Sequence, residues 1–133
     1  MTTGVRKELK GNQSNNPLVN LTDNIGGKFV GTILTAGREV KTSLGGVKYA
    51  YDFAVVDGDV DFVMKSDKKD AEGKFIYNTV DVKEGDRVTI LATVPLHGKL
   101  VEAELGTTVE IEYMGKKKSK KGNMFHDFRV FSV

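Results

Sequence analysis

Between Val47 and Val55 every second residue is apolar or aromatic. Val47, Tyr49, Tyr51, Phe53 and Val55 alternate with Lys48, Ala50, Asp52 and Ala54. A period of two sends alternate side chains to opposite faces of an extended chain and matches no helix. The run predicts a strand with one buried face, and such a strand needs partners. Phe29, Val30, Thr32, Ile33, Leu34 and Thr35 are strand formers and predict one partner, bent at Ala36-Gly37 and continuing from Glu39 to Thr42. Gly45-Gly46 supplies a turn between the two. Asp57-Gly58 is a favoured two-residue hairpin turn, and Val60, Phe62 and Met64 alternate with Asp59, Asp61 and Val63 in the predicted return strand.

Further along, Ser66 to Asn78 reads as a polar insertion carrying Phe75, Ile76 and Tyr77. Glu84-Gly85-Asp86 turns the chain into a strand from Arg87 to Thr93. Pro95 suits a first helical position, Leu96, Leu100, Val101 and Leu105 fall near helical spacing, and Gly106 ends the helix. Val109, Ile111 and Tyr113 then alternate with Glu110, Glu112 and Met114, and a last strand runs from Met124 to Val133. In that strand Phe125, Phe128, Val130 and Phe131 load both faces. Burial on both sides, display of rings to a ligand, or a bulge near His126-Asp127 each explain this. About five strands with one short helix before the last hairpin predict an all-β fold. Its expected form is a five-stranded Greek-key barrel of the oligonucleotide-binding (OB) type with a long basic C-terminal hairpin, and a small β-sandwich is the alternative.

A chain of 133 residues makes one domain. We expect it to span 28–133, after a flexible N-terminal arm at 1–27. Lys10 to Pro17 is polar and aperiodic, whereas Leu18, Val19 and Leu21 are able to dock. There is no cysteine, which excludes disulfides, thiolate metal sites and a cysteine nucleophile. No apolar run approaches the roughly 18 residues of a membrane span, and the first residues lack the apolar stretch of a secretory signal. A cytoplasmic chain is expected, in the host cytoplasm if viral.

Charge is unevenly placed. Residues 113–133 hold six Lys/Arg against one Asp, a balance of +5, while the other 112 residues hold fourteen against seventeen, a balance of −3. Lys116, Lys117, Lys118, Lys120 and Lys121 crowd a turn that closes with Gly122-Asn123. Like charges so close repel one another, and a polyanion would relieve that repulsion while releasing its counterions. A solvated tip that keeps a sheet edge soluble is the plainer explanation. Lys48 and Arg129 add flanking charge. Lys68, Lys69 and Lys74 surround Phe75 and Tyr77, a pattern that suits either a clamp over a strand or a surface loop anchored by its rings. Tyr49, Tyr51 and Phe53 share one face, which is either a base-stacking surface or the barrel core. Phe125 and Phe128 are the remaining stacking candidates.

Enzymatic chemistry finds no foothold. Asp57, Asp59 and Asp61 begin like a calcium loop, but the sixth and twelfth positions are Phe62 and Lys68 rather than Gly and Glu. His97 and His126 are the only histidines and have no metal-ligand spacing, and neither a nucleophile elbow nor a phosphate-binding glycine loop occurs. We expect no catalysis, cofactor or metal.

The segment from Gly106 to Val133, GTTVEIEYMGKKKSKKGNMFHDFRVFSV, resembles the C-terminal hairpin of phage-type single-stranded DNA-binding proteins with an OB fold. The shared features are Val109, Ile111, Tyr113 and Gly115, the lysine turn closing at Lys121-Gly122-Asn123, and Phe125, Phe128 and Val130. The strand start Glu84-Gly85-Asp86-Arg87-Val88 and the short helix also match, so the resemblance covers about the last third of the chain. It implies binding of single-stranded DNA without strong sequence preference, during phage-type replication or recombination. Many members carry an acidic tail that recruits partners; this sequence ends at Ser132-Val133, so such recruitment is not expected. A protein–protein or virion β-module and a cold-shock-like RNA-binding module are the alternative functions. A homo-oligomer or a cooperative array on DNA is left open, and no membrane partner is expected.

Overall fold

The computed structural model describes residues 16–41 and 46–133. The first fifteen residues of the expected arm, and Gly45 of the expected Gly45-Gly46 turn, lie outside them. Among the described residues nine strands and one helix follow in chain order: β1 Leu18–Asn20, β2 Lys28–Ile33, β3 Arg38–Lys41, β4 Val47–Gly58, β5 Asp61–Lys69, β6 Phe75–Val80, β7 Arg87–Ala92, α1 Val94–Leu100, β8 Thr108–Lys118 and β9 Met124–Ser132. They form one mixed sheet in the order β6-β5-β1-β7-β4-β2-β8-β9, with β3 paired to β4. The fold is β-rich, and the sheet is open, with β6 and β9 at its ends. Within it, β8-β2-β4-β7 is an antiparallel set whose fourth strand returns through α1 to lie beside the first, a Greek-key order.

The alternation in β4 sets the core. Tyr51 and Phe53 point inward with Phe29, Ile33, Ile90 and Ile111. Phe29 meets Phe53 edge-on at 5.6 Å between ring centres. On the opposite face of β4, Arg38 of β3, which pairs edge to edge with β4, reaches Asp52. Ala50 and Asp52 are buried there. Two glycines permit close approaches. A Cβ on Gly37 would stand 2.7 Å from the Tyr51 ring, and one on Gly31 2.7 Å from the Phe29 ring. Gly37 lies at the bend between β2 and β3, where the sequence predicts one.

Four expectations are corrected. Asp57-Gly58 is not a hairpin tip. β4 runs on to Gly58, because Asp57 and Gly58 pair with Val30 and Phe29 of β2. The chain then crosses over, and β5 pairs with β1 instead. Within the expected arm, Leu18–Asn20 is a strand between β5 and β7, with Val19 and Leu21 in the core. The polar insertion is a hairpin, β5–β6. The helix stops at Leu100, because only Leu96 and Leu100, four residues apart, reach the core; Val101 and Leu105 are exposed.

β9 keeps its alternation, with Phe128 and Val130 toward the core and Phe125 and Phe131 on the other face, and the bulge lies in its partner β8. Tyr113 faces Phe128 and Gly115 faces Asp127, which leaves Met114 as an extra residue in β8. Gly115 sits at φ +91°, a conformation L side chains rarely adopt. Phe128 is buried against Tyr113, while Phe125 lies on the other face opposite Lys117. No helix among the described residues is long and apolar enough to cross a membrane.

Candidate nucleic-acid interface

Two hairpins, β5–β6 and β8–β9, carry most of the basic and aromatic residues singled out from the sequence. Their tips are built alike. In the first, Asp70 N–H donates to the Lys74 carbonyl at 2.8 Å and Gly73 N–H to the Asp70 carbonyl at 3.0 Å. In the second, Ser119 N–H donates to the Asn123 carbonyl at 2.8 Å and Gly122 N–H to the Ser119 carbonyl at 2.9 Å. In each, the first residue's side-chain oxygen also accepts from the N–H four residues on, at 3.0 Å for Asp70 and 3.2 Å for Ser119. Gly73 and Gly122 adopt φ +81° and +87°, which is why glycine stands there.

The lysines do not all lie in the turn. Lys116, Lys117 and Lys118 belong to β8, where alternation splits them between faces; Lys120 and Lys121 occupy the tip. Lys116 stands opposite His126, and Lys118 opposite Met124. Lys117 is held by Asp127 at 2.9 Å, and Lys99 from α1 approaches the same carboxylate at 3.9 Å. The Lys117 hydrogen bond, followed by the charges of Lys117 and Lys99, outweighs partial burial and holds the Asp127 carboxyl below its ordinary range. Lys99 also donates to the Phe128 carbonyl. Among the described residues no ion pair engages Lys116, Lys118, Lys120 or Lys121.

On β5–β6, Lys65 faces Tyr77 and Lys69 faces Phe75 across the strands. The Lys65 ammonium lies 3.7 Å from the Phe75 ring centre and that of Lys69 4.8 Å. Phe75 and Tyr77 are 40% and 49% exposed, two residues apart on one face. Lys68 is exposed near the end of β5, and Lys74 is exposed beside Glu72. Lys65 was missed by sequence reasoning. Its signal was the continued alternation of Val63 and Lys65, visible only once the segment is taken as a strand.

Of the expected stacking rings, Tyr51 and Phe128 lie in the core and Tyr49 is half-buried. Tyr51 is buried, and its hydroxyl shares a 2.7 Å hydrogen bond with His97 Nδ1. Tyr49 lies flat on His97, 3.7 Å between ring centres and 8° from parallel, and packs on the core. Phe128 is buried beside Tyr113. Phe75, Tyr77 and the half-buried Phe125 keep some ring surface. Arg129 is exposed, with its guanidinium 4.9 Å from the Phe131 ring centre.

The outer face of β4 offers charge of a different kind. Asp52 is buried and accepts from Arg87 at 2.8 Å, Thr89 at 2.8 Å and Arg38 at 3.4 Å. Burial pushes its carboxyl up, but these three hydrogen bonds together pull it lower than an ordinary aspartate. This ion group pins β3 and β7 to β4 and is structural.

Between the hairpins lies a cleft of about 530 Å³. Tyr77 and Val63 line it from β5–β6, His126 and Phe128 from β9, and Lys48 from β4. Leu18 to Thr22, Leu91, Thr93 and Leu96 complete it. It occupies the side where the sheet does not close. Elements of both hairpins line it, so the exposed ring of Tyr77 and the strand carrying His126 border a common space. The lining from β1 and β7 had no signal in the sequence, because apolar and threonine side chains in strands read only as packing. No group of His, Asp or Glu among the described residues is arranged to hold a metal. No family model matches this chain, and neither a curated protein nor a solved structure matches it.

Proposed function

We propose that this protein binds single-stranded DNA without strong sequence preference, along the cleft between its two hairpins, and protects the strand during replication or recombination. The observation that carries the reading is one cleft lined by Lys48, the exposed ring of Tyr77 and His126, with the lysine hairpin and Phe75 continuing beyond its two sides. Lys116 shares a face with His126, which lines the cleft, while Tyr77 and Phe75 continue the opposite wall. Lysines neutralise phosphates whatever the sequence, and every base has a face to stack, so the pair gives affinity without base reading. The Greek-key order, the single helix between β7 and β8, and the unclosed side support an OB-type barrel with β5–β6 as an insertion.

A protein–protein β-module is the second reading. One observation favours it: β6, at the end of the sheet, reads Phe-Ile-Tyr-Asn-Thr-Val with no charge to guard its open edge. Titration of dT oligomers at several salt concentrations separates the two. Neutralising three to five phosphates gives a log–log slope of roughly −2 to −3.5. Affinity indifferent to salt defeats the DNA reading, and competition with rU oligomers decides between DNA and RNA.

A further inference from the structure

Among the described residues, one side-chain polar atom is buried without a hydrogen-bond partner: Thr93 Oγ1. Thr93 precedes α1 at the position where a threonine hydroxyl ordinarily accepts from a helix N–H, yet it makes no such bond. It lines the cleft between the hairpins. We propose that the cleft receives one unstacked nucleobase of the bound strand, with a polar edge at the Thr93 hydroxyl and the attached phosphate toward Lys48 and Lys116. This rests on the single-strand reading above and assigns that site its deepest contact.

The chemistry of the walls selects the occupant. The buried side chains of Leu96, Phe128 and Val19 line the cleft and suit an apolar, flat body. A free phosphate or an extended sugar chain leaves these apolar walls uncovered. A purely apolar tail leaves the Thr93 hydroxyl unsatisfied and has no use for the Lys48 ammonium at the same cleft. A heterocycle tethered to a phosphate answers both. A hydroxyl both donates and accepts, so it serves the edge of any base, in keeping with binding that ignores sequence.

The test compares wild type with Thr93→Val, Thr93→Ser and Leu91→Trp, the last filling the cleft from a residue already 38% exposed. Thymidine 5′-monophosphate should move the amide signals of Thr93 and His126 in wild type and in Thr93→Ser, but not in Leu91→Trp. Thr93→Val should weaken binding of a dT oligomer about three- to tenfold with the salt slope unchanged. Thr93→Ser should retain wild-type affinity. Oligomer binding with a normal salt slope that is equal in all four proteins overturns the base-receiving cleft and leaves the function standing. A wild type that binds no single strand overturns the function, and this proposal with it. Movement of the Thr93 signal with protein concentration alone gives the cleft to a second copy of the chain and also overturns it.

Discussion

The two hairpins close on the same turn yet use their strands in opposite ways. In β8–β9 the rings go inward and the charges outward: Tyr113 and Phe128 join the core while Lys116 to Lys121 meet solvent. In β5–β6 beyond Met64 the rings themselves are outside, with Lys65 and Lys69 laid against Phe75. The cause is what lies beneath each. β9 packs on α1 and β8 is paired on both edges, so one face has a core to enter. The end of β5–β6 reaches past β1, which pairs only with residues 61–63 of β5. Identical turn chemistry thus fixes strand reversal, and the neighbouring layer fixes which side chains remain for a ligand.

The sharpest way to break this contrast is to remove one ring from each hairpin. Phe128→Ala empties a buried site and should lower stability by about 3–5 kcal/mol. Tyr77→Ala should leave stability within about 0.5 kcal/mol of wild type. Thermal or urea unfolding reads both, and similar losses would erase the division into a structural and a ligand-facing ring. Next in size, replacing all five lysines from Lys116 to Lys121 by Gln should weaken dT binding roughly 100-fold or more near 0.1 M salt and flatten the salt slope. Unchanged binding would move the electrostatic surface elsewhere. Removing Phe75 and Tyr77 singly should each lose about 1–3 kcal/mol of binding, with little change in slope, in a fluorescence titration.

The smallest effect belongs to Asp127, which holds Lys117 in the unliganded hairpin. Its carboxyl titrates lower in the folded chain than in the unfolded one. Its stabilisation is therefore present above the unfolded value of about 3.9 and is lost as pH falls through the lower folded value. Asp127→Asn should cost about 0.5–1 kcal/mol of stability at neutral pH, the pair being half exposed on the lysine side. It should remove that portion of the acid-induced loss and strengthen DNA binding by a few-fold, since Lys117 is released. Weaker DNA binding by this variant would show that Asp127 positions Lys117 rather than masking it.

Much of this architecture was legible residue by residue. The alternation from Val47 to Val55, the bend at Ala36-Gly37, the proline-led helix and the lysine hairpin all follow from local chemistry, which acts over a few residues. The same kind of reading misplaced Asp57-Gly58. That dipeptide favours a tight turn, but here pairing with Val30 and Phe29 of β2 holds both residues in an extended strand. The cleft was illegible for a related reason: its lining draws on β1, β4, β5, β6, β7, α1 and β9, brought together only by pairing between distant segments.

By itself, then, the amino-acid order determined that β2, β4, β7, β8 and β9 are strands, where basic charge concentrates, and that no cysteine or metal-ligand motif is present. Tertiary structure alone decided that Tyr49, Tyr51 and Phe128 turn inward while Phe75 and Tyr77 stay outside. Period-two alternation separates two faces without saying which is buried. That choice is made by whichever layer packs against the strand, and the layer comes from elsewhere in the chain.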